Sequence, residues 1–224
     1  MSDLNLAVSD MNAEGKSSFT PTKYDPIFFN RFGIQTSIIY VNDLILENGL
    51  EKKFQKDWSA FYKKHKKRVL NWREKRFQGL LNKIRKSGSD EEYCKRIEIR
   101  YIDREVGYGV YAKEDIPANS ILNHYTGILR LDDKIEDGND STFTFEDFTK
   151  FSIDAVRAGN WTRFMNHTDE SAANVAAWEY YTEDGPRIVF TAKSKGIKKG
   201  DQLLYSYGEE YWEEDEVFTK EFDL

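Results

Sequence analysis

Two short strings hold most of the groups in this chain that could do chemistry. The first is Asn160-Trp161-Thr162-Arg163-Phe164-Met165-Asn166-His167-Thr168, and the second, about forty residues later, is Leu203-Leu204-Tyr205-Ser206-Tyr207-Gly208. Together they offer amide, imidazole, guanidinium and phenol groups, which bind and orient a ligand through hydrogen bonds. Nothing in the chain groups His, Cys and carboxylates at metal-ligand spacing, so no metal is expected. A third string, Gly107-Tyr108-Gly109, places two glycines where backbone can pass close to a ligand or take positive φ. It is not a dinucleotide fingerprint, because the third glycine is missing and a strand follows where a helix is needed. No later segment supplies the catalytic or metal-binding loops of a kinase, and by itself the string reads first as a hairpin turn.

The elements that must position these strings change character along the chain. Residues 1–22 are polar and are expected to be disordered. Apolar residues return between Tyr24 and Tyr40 and are expected to pack on something. From Leu50 to Ile84 the large apolar residues Leu50, Phe54, Trp58, Phe61, Val69, Trp72, Phe77, Leu80 and Ile84 recur mostly three, four or seven apart, which predicts one long helix or two. Ser87-Gly88-Ser89-Asp90 ends that pattern. Beyond it, Ile97–Ile102, Gly109–Lys113, Ser120–Leu129, Phe151–Ile153, Val175–Tyr181, Ile188–Lys193 and Gln202–Tyr205 read as strands separated by Gly, Pro, Asn or Asp turns.

Taken in order, Val106-Gly107-Tyr108-Gly109-Val110-Tyr111-Ala112, Ile116-Pro117-Ala118-Asn119, His124-Tyr125-Thr126-Gly127, Arg163-Phe164-Met165-Asn166-His167-Thr168 and Lys199-Gly200-Asp201-Gln202-Leu203-Leu204-Tyr205-Ser206-Tyr207-Gly208 resemble the SET-domain protein lysine methyltransferases, over roughly residues 97–212. Within that family, Gly208-Glu209-Glu210-Tyr211-Trp212 and Tyr125-Thr126-Gly127-Ile128-Leu129-Arg130 look most like the small SET proteins of chlamydia-type intracellular bacteria, which would make the chain a bacterial effector. The resemblance implies an α+β, mostly-β fold of several small sheets with a C-terminal pseudoknot, preceded by a basic helical N-terminal region. The implied division is a disordered segment at 1–22, the basic helical region at 23–92, the SET domain at 93–208 and an acidic closing segment at 209–224.

It also implies a cofactor, S-adenosyl-L-methionine, and transfer of its methyl group to a lysine. A lysine has a pKa of about 10.4, so forming the neutral amine at neutral pH costs roughly 4 to 5 kcal/mol. A narrow aromatic channel and the adjacent sulfonium charge both depress that pKa. On the resemblance, Tyr207, Tyr205 and Tyr125 are the catalytic residues, with Tyr207 orienting the amine and the Tyr205 phenol favouring mono- or dimethylation. Gly107, Tyr108, Gly109, Tyr125, Arg163, Asn166, His167 and Trp212 would hold the cofactor, and Tyr125, Tyr205, Glu209 and Glu210 would meet the substrate. The chain departs from the family at Ala172, where a second Asn preceded by Pro is usual; Asn174 comes two residues later. His124 and Gln202 stand where acids are common.

Charge bears on partners. The chain carries a formal net charge of −6, yet residues 50–86 hold fourteen Lys or Arg against Glu51, Asp57 and Glu74, and residues 208–224 hold eight acids against Lys220. The basic stretch reads as a solvated helix face, as a phosphate-tracking surface for nucleic acid, or less well as a membrane surface. The acidic end reads as a solubilising tail or as a device that steers a basic peptide, such as a histone or histone-like protein, toward the site. A homodimer is left open. One cysteine, Cys94, forms no intramolecular disulfide. No Sec-type signal or membrane-spanning run is visible, so the chain is expected in a cytoplasm, with export to a host cell and its nucleus as a further option. The alternative to an enzyme is a non-catalytic SET-fold binding protein.

Overall fold

The computed structural model describes residues 32–34, 36, 38–65, 72–87, 90–135 and 141–208. Their elements run β1 (Ile39–Tyr40), β2 (Ile45–Leu46), α1 (Glu51–Lys64), α2 (Trp72–Ser87), α3 (Glu91–Cys94), β3 (Ile97–Tyr101), β4 (Tyr108–Ala112), β5 (Ile121–His124) and β6 (Ile128–Leu131). There follow β7 (Thr142–Thr144), β8 (Phe151–Asp154), β9 (Ala158–Gly159), a 3-10 turn at Trp161–Phe164, β10 (Asn166–His167), β11 (Val175–Thr182), β12 (Gly185–Ala192) and β13 (Leu204–Tyr205). Strands this short pair piecemeal, and the described residues form an α+β fold of small sheets: β3-β4, β11-β12-β5, β2-β6-β8-β7, β1-β9 and β10-β13.

The two longer helices follow the apolar spacing of the sequence. In α1, Phe54, Trp58 and Phe61 turn inward and meet Tyr181, Phe148 and Phe151; the Phe61 and Tyr181 ring centroids lie 4.9 Å apart, and those of Phe54 and Phe151 5.3 Å. In α2, Phe77, Leu80, Leu81 and Ile84 pack on Tyr180 and Val189 of the β11–β12 hairpin. The only acid of α2, Glu74, is buried and accepts the Tyr181 N–H at 3.0 Å, which closes part of the open edge of β11. Lys75, Arg76, Lys83 and Lys86 remain exposed. No helix among the described residues is long and apolar enough to cross a membrane.

The expected strand Ser120–Leu129 is two strands, β5 and β6, with a sharp change of direction at Tyr125-Thr126-Gly127. The reason is local crowding. A Cβ on Gly127 would stand 2.5 Å from the Asp154 carbonyl oxygen, so only glycine fits there. The Thr126 hydroxyl donates to the Val41 carbonyl at 2.9 Å, and the Tyr125 N–H donates to the Ile188 carbonyl at 2.8 Å. Strands β1, β2, β7 and β9 were not expected, because pieces of two or three residues carry too little alternation to be read.

Residues 38–50 are threaded into this framework by parallel pairing, β1 with β9 and β2 with β6. Between them sits a buried carboxylate, Asp43. Its Oδ1 accepts from Arg187 Nε at 3.2 Å and its Oδ2 from Arg85 Nε at 2.8 Å, while His124 Nε2 lies 3.5 Å from Oδ1. Arg85 also pairs with Asp184. Burial alone would raise the Asp43 carboxyl, but Arg187, His124 and Arg85 overcome that and hold it well below the usual carboxylate range. A second polar node lies beside it: Asp90, raised by burial, accepts from the Tyr40 hydroxyl and from Asn123 Nδ2, each at 2.8 Å, and from the Cys94 thiol at 3.4 Å.

Two outcomes follow from the Asp43 node. Asp43→Ala removes the carboxylate that Arg187 and Arg85 both bond in the interior and is expected to lower the unfolding free energy by about 3–5 kcal/mol, as measured by denaturant titration. The second concerns pH. Burial, acting against Asp43, pushes the His124 imidazole below its ordinary value of 6.5. The unfolded chain therefore takes up that proton first, so stability is lost as pH falls through the ordinary imidazole range. Melting curves between about pH 7 and pH 5 should show this slope in the native protein and a flatter one in His124→Gln.

Candidate functional site

The two chemistry-bearing strings meet side by side. β10 and β13 run parallel, with Asn166 opposite Leu204 and His167 opposite Tyr205. The Thr168 N–H extends the pairing to the Tyr205 carbonyl at 3.1 Å. The approach to β10 is shaped by Asn160, whose side chain caps the Trp161–Phe164 turn by accepting from Thr162 N at 3.0 Å and reaches the His124 carbonyl through Nδ2 at 2.9 Å. This ties the turn to the end of β5, one residue before Tyr125.

Tyr207 is held at both ends. Its N–H donates to His167 Nδ1 at 3.1 Å and its hydroxyl donates to the Met165 carbonyl at 3.0 Å. Its ring lies 4.8 Å from that of Tyr205. Tyr205, buried, lies 5.0 Å from Phe190 and stacks on Phe143 at 6.3 Å. Tyr125 completes the group, 5.5 Å from Phe143 and 6.3 Å from Phe190, with its hydroxyl donating to the Ser141 carbonyl at 2.9 Å. The three tyrosines named from sequence therefore belong to one aromatic cluster, and two of its members, Phe143 and Phe190, were missed. Phe190 lies in a strand that was expected. Phe143 had a signal in the alternation Thr142-Phe143-Thr144-Phe145.

The Asn–His pair links Tyr207 to the glycine loop. Gly107 has φ +75, a conformation that suits glycine, and closes a turn by donating to the Asp103 carbonyl at 2.9 Å. Gly109 is packed: a Cβ there would stand 2.6 Å from Gln202 Nε2 and 3.3 Å from Asn166 Nδ2. Between them Tyr108 offers its carbonyl to Asn166 Nδ2 at 3.0 Å and its ring to Phe164 at 5.8 Å. Gly107, Tyr108, Gly109, Asn166, His167 and Tyr207 thus converge. Arg163 turns elsewhere: its donors go to the Ala155 carbonyl at 2.9 Å and to the Ser141 hydroxyl at 3.0 Å. Trp212, Glu209 and Glu210 lie outside the described residues. Among those described, no group of three His, Cys, Asp or Glu side chains is placed to hold a metal.

The two-residue offset after His167 has a structural answer. Ala172 and Ala173 both donate backbone N–H groups to the Asp169 carbonyl, at 2.9 and 3.0 Å, so the extra residues form a turn. Asn174 then reaches the closing segment from the new position. Its Nδ2 donates to the Gln202 carbonyl at 2.8 Å and its Oδ1 accepts the Leu204 N–H at 2.9 Å. Asn174 thus ties the chain after the turn to the closing segment. His124, standing where an acid is common, is buried against Asp43, so a carboxylate in its place would put two anions together.

Residues 107–208 match the family model of the SET domain. Among curated relatives, the chain is 31% identical over 119 residues to human histone-lysine N-methyltransferase EHMT1, covering 50% of this chain and 9% of that protein. It is 31% identical over 118 residues to histone-lysine N-methyltransferase EZH2 of Chaetomium thermophilum, covering 47% of this chain and 8% of that protein. The chain thus spans less than a tenth of the length of either relative. A solved structure of the Chaetomium thermophilum polycomb repressive complex 2 aligns with a TM-score of 0.44 at 29% identity, covering 50% of this chain and 15% of that one.

These relatives correct the narrower resemblance to small SET proteins of chlamydia-type bacteria: the segment that matches the SET model is similar to eukaryotic histone methyltransferases. The expectation of a bacterial effector loses its basis with it. The physical reason lies in the residues used. Tyr125-Thr126-Gly127 is shaped by the packing of Val41, Asp154 and Ile188 around it, which is a demand of the fold and carries no lineage. The other string, from Glu209 on, lies outside the described residues.

Asn174→Ala is expected to lower stability by about 1–2 kcal/mol, because two half-buried backbone groups lose a partner. Hydrogen exchange should quicken at residues 202–205 while the β11–β12 hairpin keeps its protection.

Proposed function

We propose that the protein is an S-adenosylmethionine-dependent protein-lysine N-methyltransferase acting on histones or histone-like basic proteins. The observation that carries this reading is the cluster of Tyr125, Phe143, Phe190, Tyr205 and Tyr207 set directly against the Gly107–Gly109, Asn166 and His167 group. The SET match and the names of the relatives support it. The residues suit the cofactor in kind: Asn166 bonds the glycine loop through the Tyr108 carbonyl and His167 bonds Tyr207, so amide, imidazole and backbone groups that can hold a nucleoside and an amino acid lie beside the phenol. Bound there, S-adenosylmethionine supplies an electrophilic methyl.

The chain's own residues do the rest. Aromatic walls strip water from the substrate ammonium and so depress its pKa, which favours the neutral amine that can attack carbon. The Tyr207 hydroxyl, fixed by the Met165 carbonyl, and the neighbouring phenols orient the amine lone pair along the line of attack. Tyr205, by keeping a hydroxyl in the cluster, restricts rotation of an already methylated lysine and favours mono- or dimethylation.

The finer features of the reading go with it. Parallel pairing of β10 with β13 supports threading of 163–168 beneath the closing segment as a pseudoknot. Lys75, Arg76, Lys83 and Lys86 on the exposed face of α2 support a nucleic-acid contact by the basic helical region. Glu209 and Glu210 would steer a basic peptide to the channel. The non-catalytic alternative rested on the offset loop before Asn174, and the bonds of Asn174 to 202–204 remove that reason.

Labelled methyl transfer from S-adenosylmethionine to histones, followed by mass spectrometry, tests the proposal. Tyr207→Phe should lower kcat by about 100-fold or more with the fold intact. Undiminished activity in that variant would remove the assigned role, and absence of cofactor binding by calorimetry would leave only the non-catalytic reading.

A further inference from the structure

Arg163 was expected at the cofactor, and its geometry gives it other work. The guanidinium Nε donates to the Ala155 carbonyl at 2.9 Å and Nη2 to the Ser141 hydroxyl at 3.0 Å. The Ser141 carbonyl in turn accepts from the Tyr125 hydroxyl and from the Ala155 N–H, each at 2.9 Å. One residue, Ser141, therefore receives both Arg163 and Tyr125. It sits immediately before β7, which carries Phe143 onto Tyr205, and Ala155 immediately follows β8, the partner of β7.

The stem of Arg163 is confined as well. A Cβ on Gly159 would lie 3.2 Å from Arg163 Cδ and 3.1 Å from the Thr126 carbonyl oxygen, so the absence of a side chain at 159 makes room for the guanidinium to pass. The guanidinium carbon lies 5.0 Å from the Phe164 ring centroid. Burial pushes its pKa down, while Tyr125 and Asp154 pull the other way. A planar fork can serve the Ala155 and Ser141 acceptors at once, which the single ammonium of lysine matches poorly.

We infer that Arg163 is a positioning residue: by clamping Ser141 to Ala155 across the open end of the β7–β8 pair, it sets the Tyr125 hydroxyl and the Phe143 wall, and so the orientation of the substrate amine. This rests on the methyl-transfer reading above. It differs from a cofactor contact in what a substitution should move. Loss of the clamp displaces a channel wall, and a displacement near 1 Å is enough to cost about 100-fold in rate. Cofactor affinity stays, because Gly107–Gly109, Asn166 and His167 do not depend on the clamp.

The test compares wild type, Arg163→Gln, Arg163→Lys, Ser141→Ala and Tyr125→Phe, each checked by thermal melting, for cofactor Kd by calorimetry, kcat and the mono-, di- and trimethyl product distribution on a histone peptide. Arg163→Gln should lower kcat by about 10- to 100-fold and shift the product distribution, with cofactor Kd within about twofold of wild type. Arg163→Lys should fall between. In a Tyr125→Phe background the same Arg163→Gln change should cost several-fold less than in wild type, because the part of its effect that acts through the Tyr125 hydroxyl is already gone. A tenfold loss of cofactor affinity with unchanged products overturns the inference, as does an undiminished effect in the double variant. Should Arg163→Gln fail to fold, Ser141→Ala decides: it keeps the carbonyl that holds Tyr125 and removes only the hydroxyl acceptor, and unchanged kcat and products there overturn the inference. A wild-type protein that binds cofactor but methylates no basic protein defeats the functional reading itself.

Discussion

The parallel contact between Asn166–His167 and Leu204–Tyr205 is what the candidate site depends on. Two strands of two residues cannot hold themselves, since their few backbone bonds do not repay the ordering of the segments that carry them. Side chains make up the difference. Asn174 bonds the Gln202 carbonyl and the Leu204 N–H, His167 takes the Tyr207 N–H, and Tyr207 closes onto the Met165 carbonyl. The His167 and Tyr207 bonds join one string to the other, and Asn174 ties the second string to the chain between them. The groups that would act on a ligand are therefore also the groups that hold the site shut, which links local order to reactivity.

The residues before position 50 contribute through buried charge. Asp43 gathers Arg187, Arg85 and His124, and through Arg85 it reaches Asp184. These come from a strap, a helix, a hairpin and a strand that are far apart in sequence. A buried ion cluster adds little net stability compared with apolar packing, but it is strongly directional, and losing one member strands the others. The cluster fixes His124, whose carbonyl anchors Asn160 and whose neighbour is Tyr125. The register of the aromatic cluster is set partly from outside the segment that matches the SET family.

Much of this was legible in the chain. Apolar spacing marked α1 and α2 because the 3.6-residue period accumulates over many residues, and the β11–β12 hairpin was legible for a similar reason: two eight-residue strands leave a long trace. Tyr125, Tyr205 and Tyr207 were named on the family likeness, and the fold brings them together. Phe143 was not named because β7 is three residues long. Arg163 was assigned to a ligand because its string neighbours are, yet its guanidinium bonds Ala155 and Ser141.

What the sequence by itself determined is the inventory: the helices, the long strands, the absence of metal-ligand spacing, and the two strings whose residue types suit methyl transfer. These are local properties, written in periodicity and in side-chain chemistry. Only the tertiary structure decided that Asn174 reaches the closing segment despite its offset, that Arg163 serves Ser141 and Ala155, that Phe143 and Phe190 join the tyrosines, and that Asp43 braces them. Each of these is a contact between residues widely separated in the chain, chosen by which buried donor lies within reach of which acceptor, and no spacing along the chain encodes that distance.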